Sequence, residues 1–412
     1  MENVILIGFG PDATKSLERS AFSLRTHMFE KGLGDAGFQI DKFMFSRAKH
    51  NDCFNINSLS DRKKVKLLVD KSSTSVVIGT GFEICKMIAE WKLTNKFIVS
   101  DLNGWTPSEI QARSFSEKSN VLVERFKDTE KQILESSDFI TTVSNAQKFA
   151  VYGELSMLGR LRYENFDKAL VSAIANKGVK LRNNDKISER SDLLDSKKFK
   201  ILWLGGFNNW ADEKTLFEGV EKIMDKYSFV ELVVTGGAIN GVNDVKYPVF
   251  EQLVQNSVHK DRFILMNWAK AADVPRIISE CQVGLNCDLY CLETLTGARN
   301  RINEMITNGL PVISSRGSEV ADFISSKKLG STFESQNVND LVFQMELAIN
   351  GQAKIWKNNC LGFQDDYSDF RQLINFCKHP FKINYKKQSG ISKLIWYFQN
   401  KSLRDLLRKL GL

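Results

Sequence analysis

Arg299, Arg301 and Glu304 bring two guanidinium groups and a carboxylate into one short stretch. Two adjacent cations can neutralise a diphosphate as charge develops on it, which is electrostatic stabilisation of a transition state. A carboxylate beside them can accept both hydroxyls of a ribose. Together they point to a nucleotide diphosphate. The same residues also fit a solvated amphipathic helix in which Arg301 pairs with a nearby acid.

The elements that must position these groups run from Asp288 to Ile324. The first part is polar and turn-like. A helical pattern then opens across Arg299, Arg301 and Glu304 and ends at Gly309, and Leu310 to Ser314 reads as a short buried strand. A turn over Ser315, Arg316, Gly317 and Ser318 leads into a helix near Glu319. That order sets the charges near the carboxyl edge of a parallel sheet, where phosphorylated ligands meet helix N-termini. Glycine turns elsewhere suit the same ligand. Gly205-Gly206-Phe207-Asn208-Asn209 and Thr235-Gly236-Gly237 end strand-like runs, and glycine lets backbone N–H groups approach a pyrophosphate closely. Any tight strand–helix turn favours glycine as well.

Other chemistries lack their motifs. No full GxGxxG or GxxxxGK[ST] sequence occurs, which removes a standard dinucleotide oxidoreductase and a P-loop NTPase. His27, His50, His259 and His379 are scattered, with no HExxH, Cys/His group or GxSxG, so neither a metal nor a hydrolase triad is expected. The seven cysteines form no CxxC pair and fit reduced thiols in a cytosolic protein.

At 412 residues the chain has room for two cores, and strand–helix alternation appears twice. Strands are expected at Val4–Gly8, Phe38–Phe45, Thr74–Gly79, Lys96–Asp101 and Asp138–Val143, with helices at Ser16–Lys31 and Asn120–Glu135. Alternation restarts at Phe199 and continues through Asp212–Tyr227, Val230–Thr235, Arg262–Met266, Val283–Asn286 and Pro311–Ser314. The expected fold is α/β, with two Rossmann-like doubly wound domains facing a cleft. Residues 1–182 form the first domain, 183–198 a polar linker, 199–380 the second domain and 381–412 a tail. The first residues read as a strand, not a signal peptide, and no apolar run is long enough for a membrane span.

The net charge of +8 is concentrated in the tail, where nine lysines and arginines from Lys378 onward face one acid, Asp405. The near-neutral remainder argues against nucleic acid as a partner. Ile391, Leu394, Ile395, Phe398, Leu403, Leu406, Leu407 and Leu410 form a helical apolar stripe opposite basic residues. Such a helix either packs on the protein's own surface or lies on anionic lipid.

With these residues in place the chain resembles bacterial glycosyltransferases of the GT-B fold, in the "glycosyl transferases group 1" assemblage and family-4-like. The resemblance rests on Glu293 through Arg299-x-Arg301-x-x-Glu304, then Asn308-Gly309-Leu310-Pro311-Val312-Ile313 and Gly317-Ser318-Glu319. Asp101, Pro107 and Glu109, the segment Ser144-x-x-Gln147 with Gly153, Leu155, Gly159 and Arg160, Trp268, and Phe376 to Pro380 agree more loosely. Departures are Thr296 where retaining relatives carry the first Glu of E-x7-E, Glu304 where Asp is common, and Ser318 in place of Asp.

The resemblance implies a sugar transferase, with the donor held by the second domain and the acceptor by the first. Arg299 and Arg301 would face the diphosphate and Glu304 the ribose. Gly205, Gly206, Asn208 and Gly236 would line the nucleotide sugar, Trp268 the base and Glu293 the donor sugar. Asp101, placed at the carboxyl edge of the first sheet, would bind acceptor or act as base. No cofactor or metal is implied beyond the nucleotide-diphosphate sugar itself. The acceptor would be a saccharide or lipid-linked saccharide of cell-surface polysaccharide synthesis, such as O-antigen or capsule. The enzyme would then be cytoplasmic and peripheral on the inner membrane face through its tail. A nucleotide-sugar 2-epimerase and an inactive membrane-associated subunit share the scaffold and stay open.

Overall fold

The computed structural model describes residues 2–11, 20–48, 50–178, 197–238, 245–270, 273–363 and 369–383. The expected tail helix and most of the linker lie outside these residues, as does the start of the helix expected from Ser16.

Apolar runs such as Val4 to Ile7 are buried on both faces, as parallel strands covered by helices must be. The first sheet comprises β1 (Asn3–Phe9), β2 (Gln39–Ser46), β3 (Phe54–Asn55), β4 (Val76–Thr80), β5 (Phe97–Asp101), β6 (Phe139–Thr142) and β7 (Val171–Ala173). It is parallel throughout, in the order β3-β2-β1-β4-β5-β6-β7. Around it lie α1 (Ala21–Asp35), α2 (Leu59–Lys71), α3 (Phe82–Trp91), α4 (Thr106–Glu117), α5 (Val121–Ser136) and α6 (Asn145–Met157).

The second sheet comprises β8 (Phe199–Leu204), β9 (Val230–Thr235), β10 (Phe263–Leu265), β11 (Val283–Asn286), β12 (Val312–Ser315) and β13 (Gly330–Phe333). Its order is β10-β9-β8-β11-β12-β13, again parallel. Its helices are α7 (Glu213–Lys226), α8 (Lys246–Gln255), α9 (Val274–Glu280), α10 (Leu292–Thr296), α11 (Asn300–Thr307), α12 (Glu319–Lys327), α13 (Val338–Leu347) and α14 (Ala353–Gly362). Both sheets reverse direction of winding at their centre, between β1 and β4 and between β8 and β11, where α/β folds place ligands.

The last described helix, α15 (Arg371–Lys378), does not stay with the second domain. Leu373, Phe376 and Cys377 pack into the first domain's core with Val4, Leu6 and Phe29, and Phe376 stacks on Phe139 at 4.9 Å. The chain thus crosses back and ties the two domains together.

Several α1 to α6 boundaries follow from local chemistry. Ser20 caps α1 through a reciprocal pair with Ser23, and Ser144 caps α6 by accepting from the Gln147 N–H. Among the described residues no helix is long and apolar enough to cross a membrane.

Candidate active site

The carboxyl edges of the two sheets meet across an interface stitched by polar contacts. Ser144 Oγ donates to the Thr296 carbonyl at 2.5 Å, and Ser108 Oγ lies 3.3 Å from Thr296 Oγ1. Glu319, at the start of α12, accepts from the Ala146 N–H at 2.7 Å. Asn176 donates to Asn300 Oδ1 at 2.7 Å and accepts from Asn303 at 2.9 Å.

On the second-domain side the sequence-picked residues separate into two groups. Arg299 is the N-cap residue of α11, and its side chain is almost fully buried. Its Nε donates to Asp288 at 2.5 Å, and its two terminal nitrogens donate to both Glu293 carboxylate oxygens, to the Glu293 carbonyl and to the Ala298 carbonyl. Every N–H of the guanidinium is thereby engaged. Burial works against this charge, but the Glu293 and Asp288 carboxylates more than offset it and hold its pKa above the ordinary guanidinium value. Arg299 therefore does not open on a diphosphate, and its geometry is that of a clamp holding Asp288 and Glu293.

Arg301, two residues on, is placed differently. Its Nη2 donates to the Gly206 carbonyl at 2.5 Å, and the guanidinium lies over the Trp203 ring, 4.4 Å from the centroid. Nη1 is buried with no hydrogen-bond partner. Burial pushes its pKa down to about 10, with Asp288 opposing the shift and the like charge of Arg299 adding to it. A buried cationic nitrogen with open donors beside a glycine turn is what an incoming phosphate oxygen needs.

The turn itself is built from two glycines with positive φ, of which Gly236 has no room for a side chain. Gly205 has φ +87° and Gly236 φ +120°, and a Cβ on Gly236 would stand 2.4 Å from the Gly205 carbonyl. The ends of β8 and β9 thus touch backbone to backbone, fixing the Gly205–Gly206 loop next to Arg301. Asn208 is half-buried and its carbonyl receives the Ala211 N–H. Trp268 stands exposed beyond β10, its Nε1 bonded to the Ala238 carbonyl beside this turn. Glu304 falls in the second half of α11, not at its start, so the helix N-terminus does not act on it directly.

Glu293 opens α10 and is only 3% exposed. Burial pushes its carboxyl up to about 7, with Arg299 pulling the other way. Facing it from α4 is Glu109, half-buried, raised by burial and by Glu293 to about 8. At neutral pH the pair retains a proton, chiefly because burial disfavours the charged form of each carboxyl.

Asp101 is corrected outright as a cleft residue. At 0% exposure it lies under the sheet edge, bound by Arg25 Nη2 at 2.8 Å and by Thr141 Oγ1 at 2.7 Å. The register explains this, since Asp101 is flanked by Thr80 of β4 and Thr141 of β6 in a central strand. Arg25 passes the contact on to Asn176, which meets Asn300 of the second domain.

Sequence reasoning did not single out Asp288, Trp210, Arg25 or Asn176. Asp288 stands two residues beyond the end of β11 at the carboxyl edge, which was a readable signal. Trp210 lies under Arg299 at 5.5 Å, and Arg25 and Asn176 sit in positions with no motif.

No family model matches the sequence, and no curated protein matches it. Solved structures do. WaaG, described as a glycosyltransferase involved in lipopolysaccharide biosynthesis, aligns with a TM-score of 0.62 at 12% identity over 92% of this chain and 100% of its own. Anabaena HepE in complex with UDP-glucose gives 0.61 at 13% identity, over 92% and 98%. Sucrose-phosphate synthase from Thermosynechococcus elongatus gives 0.61 at 15% identity, over 91% and 97%. The chain has the GT-B fold of the glycosyltransferases it resembles, two Rossmann-like domains facing one another across a cleft.

Proposed function

We propose that the chain is a glycosyltransferase moving a sugar from a nucleotide diphosphate to a saccharide or lipid-linked acceptor in cell-surface polysaccharide synthesis. The observation that carries this reading is Arg301 Nη1, buried without a partner beside the Gly205–Gly206 turn. A diphosphate lying on that turn would receive the guanidinium, while Glu304 takes the ribose and Trp268 the base. The donor sugar would lie toward Glu293, with Glu109 opposite it.

The likeness to a structure holding UDP-glucose and to one involved in lipopolysaccharide biosynthesis supports both donor class and process. No resident metal enters this scheme, because Arg301 supplies the charge that stabilises the leaving diphosphate. The basic apolar-striped tail would hold the enzyme at the inner membrane face near its acceptor.

A thermal-shift screen against UDP, GDP, dTDP, CMP and their sugars tests the proposal. One nucleotide is expected to raise the melting temperature, since a ligand binding only the folded form stabilises it by mass action. The shift should vanish in Arg301→Ala while the protein stays folded. No response to any nucleotide by a well-folded protein overturns the reading.

A further inference from the structure

The first domain carries a cavity of about 320 Å³ that the donor site does not explain. It adjoins the place where the sheet order reverses, since α3 follows β4, the neighbour of β1. Four cations converge on it from four separate elements. Arg47 follows β2, Arg62 lies in the first turn of α2, Lys86 is in α3 and Arg125 near the start of α5. Residues so far apart in sequence form a built pocket, not a run of like charge.

Two of the cations are held in place. Arg47 pairs with Glu83 at 3.0 Å and also lies over the Phe9 ring, and Arg62 pairs with Glu90. The other two, Lys86 and Arg125, have no ion pair among the described residues. Phe82 and Phe126 form an apolar wall, ring centroids 5.5 Å apart, with Arg125 over Phe126. Four cations against two carboxylates leave room for a doubly charged anion, and an aromatic wall beside them suits an attached sugar or apolar group.

We infer that this cavity binds a phosphate-bearing group of the acceptor. The inference rests on the proposed reading, in which the first domain receives the acceptor, and it gives that acceptor a chemical class. Phosphate fits better than a lone carboxylate because Lys86 and Arg125 come from two different helices, α3 and α5, so a group with three oxygens can answer both. A cavity of this size admits a phosphate or diphosphate with part of its substituent.

Calorimetric titration of the full chain carrying Arg301→Ala, which silences the donor turn, separates this site from the other. Inorganic pyrophosphate is expected to bind that variant still. Adding Lys86→Ala and Arg125→Ala should weaken it about tenfold or more, with the melting temperature of the ligand-free protein little changed. Pyrophosphate binding that disappears with Arg301→Ala alone, or survives the added substitutions, overturns the inference. So does glucuronate binding in place of pyrophosphate, which would make the acceptor's charge a carboxylate. A UDP titration of the protein with Arg301 intact is run beside it. Failure there removes the transferase reading and with it the acceptor assignment, whereas pyrophosphate failure with UDP binding intact removes only the pocket.

Discussion

Glu109 of α4 and Glu293 of α10 face each other across the domain boundary, the Glu293 charge adding to the burial that raises Glu109, with Arg299 the cation that faces both. Arg299 is bound bidentately to Glu293, so Glu293 is the partner better able to ionise and Glu109 the one that keeps the proton. Asp288 on the Glu293 side and Glu130 on the Glu109 side add further negative charge.

This pair makes stability depend on pH with a definite sign. Both carboxyls titrate above their ordinary value of 4.5, at about 8 for Glu109 and about 7 for Glu293. The folded protein therefore holds protons that the unfolded chain releases, and stability present at low pH is lost as pH rises through those values. In Glu109→Gln the fall in melting temperature between about pH 5 and pH 8 should become shallower. An unchanged slope would show that Glu109 does not share its proton in the folded state.

Arg299 and Arg301 look equivalent in sequence and should behave oppositely when removed. Arg299→Ala leaves Asp288 and Glu293 buried without their cation and should lower unfolding free energy by about 3–5 kcal/mol. Among the described residues Arg301 has no ion pair, bonding the Gly206 carbonyl and lying over the Trp203 ring, so the main effect of Arg301→Ala should be loss of nucleotide response. Urea unfolding with and without nucleotide reads both. Equal destabilisation by the two would contradict the division of labour.

That division also marks where sequence reading stops. The two sheets were legible because fully buried parallel strands are continuous apolar runs, as in Val230 to Thr235, which forms β9 with the expected limits. The α2 helix was missed because only Val65 and Val69 of it are buried, too few for a visible stripe. Asp101 was placed at the correct edge of the correct strand, yet its direction depends on Arg25 and Thr141, which arrive from distant positions. Residue type and spacing located the edge; only packing decided which charges are open and which are closed.

Arg25 and Asp101 should act on the second domain although neither touches it. Arg25 bonds Asp101 and Asn176, and Asn176 bonds Asn300, one residue from Arg299 and Arg301. Asp101→Ala leaves a buried guanidinium unpaired and should destabilise by about 3–5 kcal/mol. Asn176→Ala removes the link together with one of several acceptors of Arg25, so it should cost the first domain less than Asp101→Ala while weakening its coupling to the second. Separate melting transitions by calorimetry in Asn176→Ala, against one in the parent, would confirm the route. A single unchanged transition would reject it.

The two turn glycines give the sharpest comparison, because they share a backbone requirement and differ in space. Gly205 at φ +87° has nothing within 4 Å of a would-be Cβ, so Gly205→Ala adds only conformational strain, about 1–2 kcal/mol. Gly236 at φ +120° carries similar strain, and its Cβ would also meet the Gly205 backbone at 2.4 Å. Gly236→Ala must therefore push the β8 turn outward, taking with it the Gly206 carbonyl that anchors Arg301. Nucleotide affinity should fall more in Gly236→Ala than in Gly205→Ala, by about tenfold. Titration of both variants with the nucleotide that stabilises the parent decides the matter, and equal losses would mean that the turn's position does not set the diphosphate site.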